Sequence, residues 1–112
     1  MKGAQSSSVA GGMRILIVDD EKNIRSTLAL CLEGLGAEAL AVGTSEAALS
    51  ALGRQPYDLA FVDLALGTES GLDLLPRLLG EEANLGIVLI TAYGTIETAV
   101  EAMRRGAKDY LP

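Results

Sequence analysis

Four residues with compatible chemistry stand at the ends of apolar runs. Asp19 and Asp20 follow "ILIV" (15 to 18), Asp63 closes "LAFVD" (59 to 63) and Thr91 closes "VLIT" (88 to 91). Carboxylates gathered at strand tips need a reason, because two of them about 4 Å apart repel by roughly 4 kcal/mol at an effective dielectric near 20. Either protons are taken up, as in acid dyads, or a hard cation sits among the oxygens. Mg2+ suits the second option, since it favours a few carboxylates together with waters and a phosphate oxygen. Simpler roles compete residue by residue. "DDE" (19 to 21) before a helix can serve as cap and first-turn charge. Asp63 can open a turn, and threonine is at home in a strand. The conjunction at successive strand ends is what favours a shared site.

Such a site needs a sheet to carry it. Apolar runs "RILIV" (14 to 18), "AEALAV" (37 to 42), "YDLAFV" (57 to 62), "GIVLIT" (86 to 91) and "AKDYL" (107 to 111) alternate with helix-like stretches, which predicts an α/β domain with a parallel sheet. In open sheets of this kind ligands bind beyond the carboxyl ends of the strands, where the strand order reverses. If strand one lies beside strand three, and three beside four, the four side chains meet in one acidic pocket. The first helix is read from Ile24, Leu28, Cys31 and Leu35, with Gly36 as its stop. Thr44 caps a second helix that Gly53 and Pro56 help close. The third, "SGLDLLPRLLGEEA" (70 to 83), opens on a Ser70/Asp73 capping box, and Pro76 inside it predicts a late start or a kink. In the fourth, Thr95 is the cap, Ile96, Val100 and Met103 line one side, Glu101 and Arg105 pair, and Gly106 ends it. Tyr110 reads as half-buried packing on the last strand. A parallel sheet is covered on both faces, so an alternating chain ending on a strand is expected to lack a covering helix.

Composition narrows the class. The 112 residues suffice for one domain with a modest core, built from aliphatic residues because aromatics are only 4%. A net charge of -6 argues against binding nucleic acid, whose phosphates are neutralised by Lys and Arg. No apolar run approaches the ~20 residues of a membrane-spanning helix. Residues 1–12, "MKGAQSSSVAGG", lack the apolar stretch of a secretory signal and read as a flexible tail, which makes the cytoplasm the default location. The lone Cys31 falls on the predicted apolar side of its helix and is expected to act as a small hydrophobe.

From Arg14 to Pro112 the chain resembles the receiver domain of bacterial two-component response regulators. The motifs that carry the resemblance are "ILIVDDE", "YDLAFVDL", "SGLDLL", "VLITAYG" and "AVEAMRRGAKDYLP". The stretch "TAYGTIETAVEAMRRGAKDYLP" is most similar to the nitrogen-regulation (NtrC) class of sigma-54-dependent regulators, and "DLALG" without the usual proline resembles its alginate-regulator branch. The resemblance implies a flavodoxin-like, doubly wound sheet of order 2-1-3-4-5 spanning residues 13–112. It implies a phosphoryl group taken from a sensor histidine kinase onto Asp63, with Mg2+ held by Asp20, Asp63 and the backbone carbonyl of Ala65, and by Asp19 through water. Thr91 would hydrogen-bond the phosphoryl oxygens and Tyr110 would turn inward on activation. Output through ATPase and DNA-binding domains, and a homodimer through the fourth helix and fifth strand, are also implied.

Two departures from the family pattern stand out. "DLALGTESG" has Leu66 and Gly67 where the family has Met and Pro, so the loop after Asp63 is expected to be more mobile. The family also ends its fifth strand with a lysine that "GAKDYLP" stops short of; Lys108 lies five residues too early and reads as a solvated strand-edge charge. Two other functions compete with a phosphorylation switch. A Mg2+-dependent phosphatase would use similar aspartates but typically has a second one two residues after the nucleophile, where this chain has Ala65. A phosphorylation-independent interaction domain would have no need of Asp19, Asp20, Asp63 and Thr91 together.

Overall fold

The computed structural model describes residues 11–91 and 94–111, so most of the tail expected over 1–12 lies outside the described residues. Five strands form the parallel sheet: β1 (Arg14–Val18), β2 (Glu38–Val42), β3 (Leu59–Asp63), β6 (Gly86–Ile90) and β7 (Asp109–Leu111), in the order β2-β1-β3-β6-β7. The expected order is therefore observed, with β6 and β7 as the fourth and fifth strands of the sheet. Its helices are α1 (Lys22–Gly34), α2 (Ser45–Arg54), α3 (Gly71–Glu81) and α4 (Ile96–Arg104). A small antiparallel hairpin, β4 (Ala65–Leu66) with β5 (Glu69–Ser70), lies between β3 and α3.

Alternation along the strands sorts the core into two layers. Leu16, Val18, Ala60, Val62, Ile87 and Leu89 point to the face covered by α2, α3 and α4, where Ala48, Leu74, Leu75, Leu78 and Ala102 complete the main core. Ile15, Leu59 and Phe61 point the other way, toward Leu32 of α1.

Local chemistry explains the helix ends. Thr44 accepts from the Ala47 amide and Thr95 from the Thr98 amide, as their positions predict. Gly36 and Gly106 adopt φ of 98° and 107° just beyond α1 and α4, a conformation open to glycine at little cost. Ser70 accepts from the Leu72 amide, while Asp73, expected to complete its box, accepts from Arg105 just beyond α4. Pro76 is accommodated within α3, whose start is not delayed beyond Gly71.

One prediction for α1 is corrected. Cys31 is exposed, as are Ile24 and Leu35, whereas Leu28, Ala29 and Leu32 are the half-buried apolar residues. The helix is turned by roughly a quarter turn from the stripe read off its sequence. "LALCL" (28 to 32) is apolar at every position, so periodicity there does not single out one face.

Candidate functional site

The ends of β1 and β3 are neighbours in the sheet, and β6 lies beside β3, so their carboxyl ends share one rim. Asp19, Asp20 and Asp63 each offer a carboxylate oxygen there, and the three oxygens lie within 4.8 Å of one another. Together with Glu21, Ile24, Ala65, Ile90 and Thr91, they line an open cleft of about 450 Å³. The site residues expected from the sequence are thus brought together, with Tyr110 the exception among them in not lining the cleft.

Each aspartate is oriented by a backbone amide. Asp19, buried to 6% exposure, accepts from the Glu21 amide at 2.8 Å, which turns the chain into α1. Glu21 is the N-cap residue but makes no side-chain cap, and the first turn of α1 has no acidic residue, so the capping and first-turn role weighed for "DDE" is not realised. Asp20 is exposed and accepts from the Gly67 amide at 2.9 Å, across from the β4–β5 turn. Asp63 accepts from the Ala65 amide at 3.2 Å. A carboxylate has two oxygens, so these bonds orient each group without consuming its capacity to bind a cation.

Burial pushes the Asp63 carboxyl above the ordinary carboxylate range; repulsion from Asp19, Asp20 and Glu21 adds to the rise, and the Ala65 amide opposes it. Among the described residues lining the cleft, no side chain is cationic. The nearby Arg25 guanidinium donates to the Asp19 carbonyl at 2.8 Å. Three hard oxygen donors of like charge, within 4.8 Å of one another, fit a hard divalent cation.

The loop after Asp63 forms the β4–β5 hairpin, with Leu66 buried in the main core and Gly67 at φ 60°. Gly71 follows it. A β-carbon there would collide with the Asp63 carbonyl oxygen, and its amide donates to the Leu64 carbonyl at 2.6 Å, so the chain turns back tightly under Asp63.

Thr91 is buried at the end of β6, and its amide donates to the Leu111 carbonyl. Tyr110 on β7 is half-buried against the core, with its hydroxyl 3.1 Å from Thr98 Oγ1 at the start of α4. A β-carbon on Gly94 would overlap the Tyr110 hydroxyl and crowd the Thr91 methyl group, so these two side chains flank the same point of the β6–α4 loop. Lys108 is exposed, as expected.

A five-stranded sheet of this order, with aspartates gathered at the switch point, defines a doubly wound α/β domain with an acidic rim. The match to the response regulator receiver domain covers residues 15–112, and the chain belongs to that family. It is 42% identical over 98 residues to the alginate biosynthesis transcriptional regulatory protein AlgB of Pseudomonas aeruginosa, covering 88% of this chain and 22% of that protein. It is 37% identical to the DNA-binding transcriptional regulator NtrC of Azospirillum brasilense, over 88% of this chain and 20% of the relative. Both the class and the branch anticipated from the sequence are therefore among its relatives, and the chain spans about a fifth of their length. Among solved structures it is similar to a Burkholderia pseudomallei response regulator bearing a phosphorylated aspartic acid, a calcium ion and citrate. That match has a TM-score of 0.85 and 34% identity, over 88% of this chain and 58% of the other. NtrX from Brucella abortus matches with a TM-score of 0.82 and 38% identity, over 88% and 23% of the two chains.

Proposed function

We propose that Asp63 is the phosphoacceptor of a two-component signalling switch. The carrying observation is the cluster of Asp19, Asp20 and Asp63 at the sheet rim, with Thr91 on the same cleft. An oxygen of Asp63 bonds to the phosphorus of a phosphohistidine on a sensor kinase. The nitrogen–phosphorus bond breaks, its electron pair stays on the imidazole, and the imidazole takes a proton. An ionised carboxylate needs no base to activate it, so positioning and charge neutralisation carry the step. Asp20, Asp63 and the Ala65 carbonyl, with Asp19 acting through water, would hold Mg2+, which would supply the positive charge that this acidic cleft lacks in its own described lining. These 112 residues contain no histidine, so the donor lies outside them.

The product is a state rather than a released molecule, and the domain acts as a switch and not as a turnover enzyme. The phosphoryl group carries about -1.5 to -2 charges in place of the single negative charge of the Asp63 carboxylate. The Thr91 hydroxyl is drawn to the new oxygens, and Tyr110, its neighbour around Gly94, turns into the space released. Ile96, Val100 and Met103 on α4 and Leu111 on β7 expose 84%, 52%, 48% and 43% of their surface. This apolar face of α4 and β7 is the seat of homodimerisation, and it relays the switch to ATPase and DNA-binding output domains. The unit doing this is residues 13–112, preceded by a tail over 1–12, and it works in the cytoplasm.

The test is intact mass after incubation with acetyl phosphate and Mg2+. The wild-type chain gains one phosphoryl group and Asp63→Asn gains none. A gain in both, or in neither, overturns the assignment.

A further inference from the structure

The β4–β5 hairpin carries the amides that orient two of the three aspartates, Gly67 toward Asp20 and Ala65 toward Asp63. With two residues in each strand it cannot hold its own shape. One anchor is Leu66 in the main core. The other is polar and comes from α2: the Ser45 hydroxyl donates to Glu69 Oε1 at 2.6 Å, a short contact of the charge-assisted kind. Ser45 is 1% exposed, at the first position of α2, and its single proton has a poorer alternative in Glu46 Oε1 at 3.4 Å. Proline's fixed torsion cannot supply rigidity at the turn, because Gly67 sits at φ 60°.

We propose that Ser45 and Glu69 are positioning residues for the cation site, latching the β4–β5 hairpin to α2 so that Gly67 and Ala65 orient Asp20 and Asp63. The proposal rests on the reading of that cluster as a Mg2+ site. Neither latch residue touches the cation. Without the latch, the hairpin tip is free to shift relative to Asp20, and the two carboxylates lose their common aim.

The test titrates Mg2+ alone, without phosphodonor, into wild type, Ser45→Ala, Glu69→Ala, Glu69→Gln and the double alanine variant, following the rise in melting temperature and the Gly67 amide resonance. Ser45→Ala and Glu69→Ala should weaken Mg2+ binding roughly tenfold, the lower end of what is lost with an outer partner of a metal ligand. The double variant should be no weaker than either single. Glu69→Gln keeps an oxygen acceptor for Ser45 and should recover most of the affinity. Equal Mg2+ binding by wild type and Glu69→Ala overturns the latch while leaving the metal site intact, even if the variant melts lower. Equal weakening by Glu69→Gln and Glu69→Ala overturns it too, by showing that charge rather than the hydrogen bond matters. A wild-type chain indifferent to Mg2+ overturns the reading of the site, and the latch with it.

Discussion

Asp63 combines a raised carboxyl pKa with the proposed phosphoacceptor role, which makes it the most testable residue in the chain. Burial and three acidic neighbours hold its carboxyl above the ordinary range, so the folded state binds its proton more tightly than the unfolded state does. The sign follows: its contribution to stability is full below the ordinary carboxylate range and is lost as pH rises through the elevated value. Asp63→Asn should therefore stabilise the metal-free domain near neutral pH by roughly 0.5–1 kcal/mol, a modest figure because solvent screens a partly exposed group. Urea melts across a pH series should show that gain disappearing once the wild-type carboxyl is protonated. A variant less stable at neutral pH would contradict the electrostatic account. Gly71→Ala should act oppositely, costing roughly 1–3 kcal/mol, since its methyl group meets the Asp63 backbone and not a yielding side chain. Thermal melts of that variant check it. The aspartates were legible in the sequence because strand-end carboxylates are conspicuous, whereas the amides of Gly67 and Ala65 that orient them leave no side-chain signature.

The elements were legible to different degrees, according to how strongly their sequences repeat. Strands of five residues bounded by turn residues announced themselves. The β4–β5 hairpin did not, because two-residue strands are too short for alternation to show, and its contact with Ser45 spans 24 positions. Helix α1 was found but rotated, since apolar residues surround much of it. Helix α4 was read best at its start, where Thr95 accepts from the Thr98 amide and Thr98 Oγ1 in turn accepts from the Thr95 amide at 2.8 Å. Thr98 Oγ1 also meets the Tyr110 hydroxyl, which ties the proposed aromatic switch to the start of this helix. Thr95→Ala should cost about 1 kcal/mol and Thr98→Ala a similar amount. Their combination should cost less than the sum because the bonds are shared. Denaturant midpoints of the three variants test this, and strict additivity would argue against a reciprocal cap.

At the scale of the molecule, two unequal layers flank the sheet. The face under α2, α3 and α4 is closed, while on the other face Val88 and Ile90 are only half-buried and α1 is the sole helix among the described residues. The fold class, sheet order and family were all anticipated, the order through resemblance and not through periodicity, because a parallel strand records nothing of its neighbour. The exposed stripe on α4 was visible as spacing, but its outward direction was not. Ile96→Ser, at 84% exposure, should leave monomer stability within about 0.5 kcal/mol. It should also lower the dimer fraction of the phosphorylated chain in sedimentation; an unchanged fraction would remove α4 from the proposed interface.

The central claim, that Asp63 and no other carboxylate carries the phosphoryl group, is tested most directly by chemical trapping. Borohydride reduces an aspartyl phosphate to homoserine, and sequencing of peptides from the phosphorylated, reduced chain locates it. The account predicts homoserine at position 63 and at no other aspartate. Homoserine at position 19 or 20, or none in a chain whose mass shows a phosphoryl group, would contradict it.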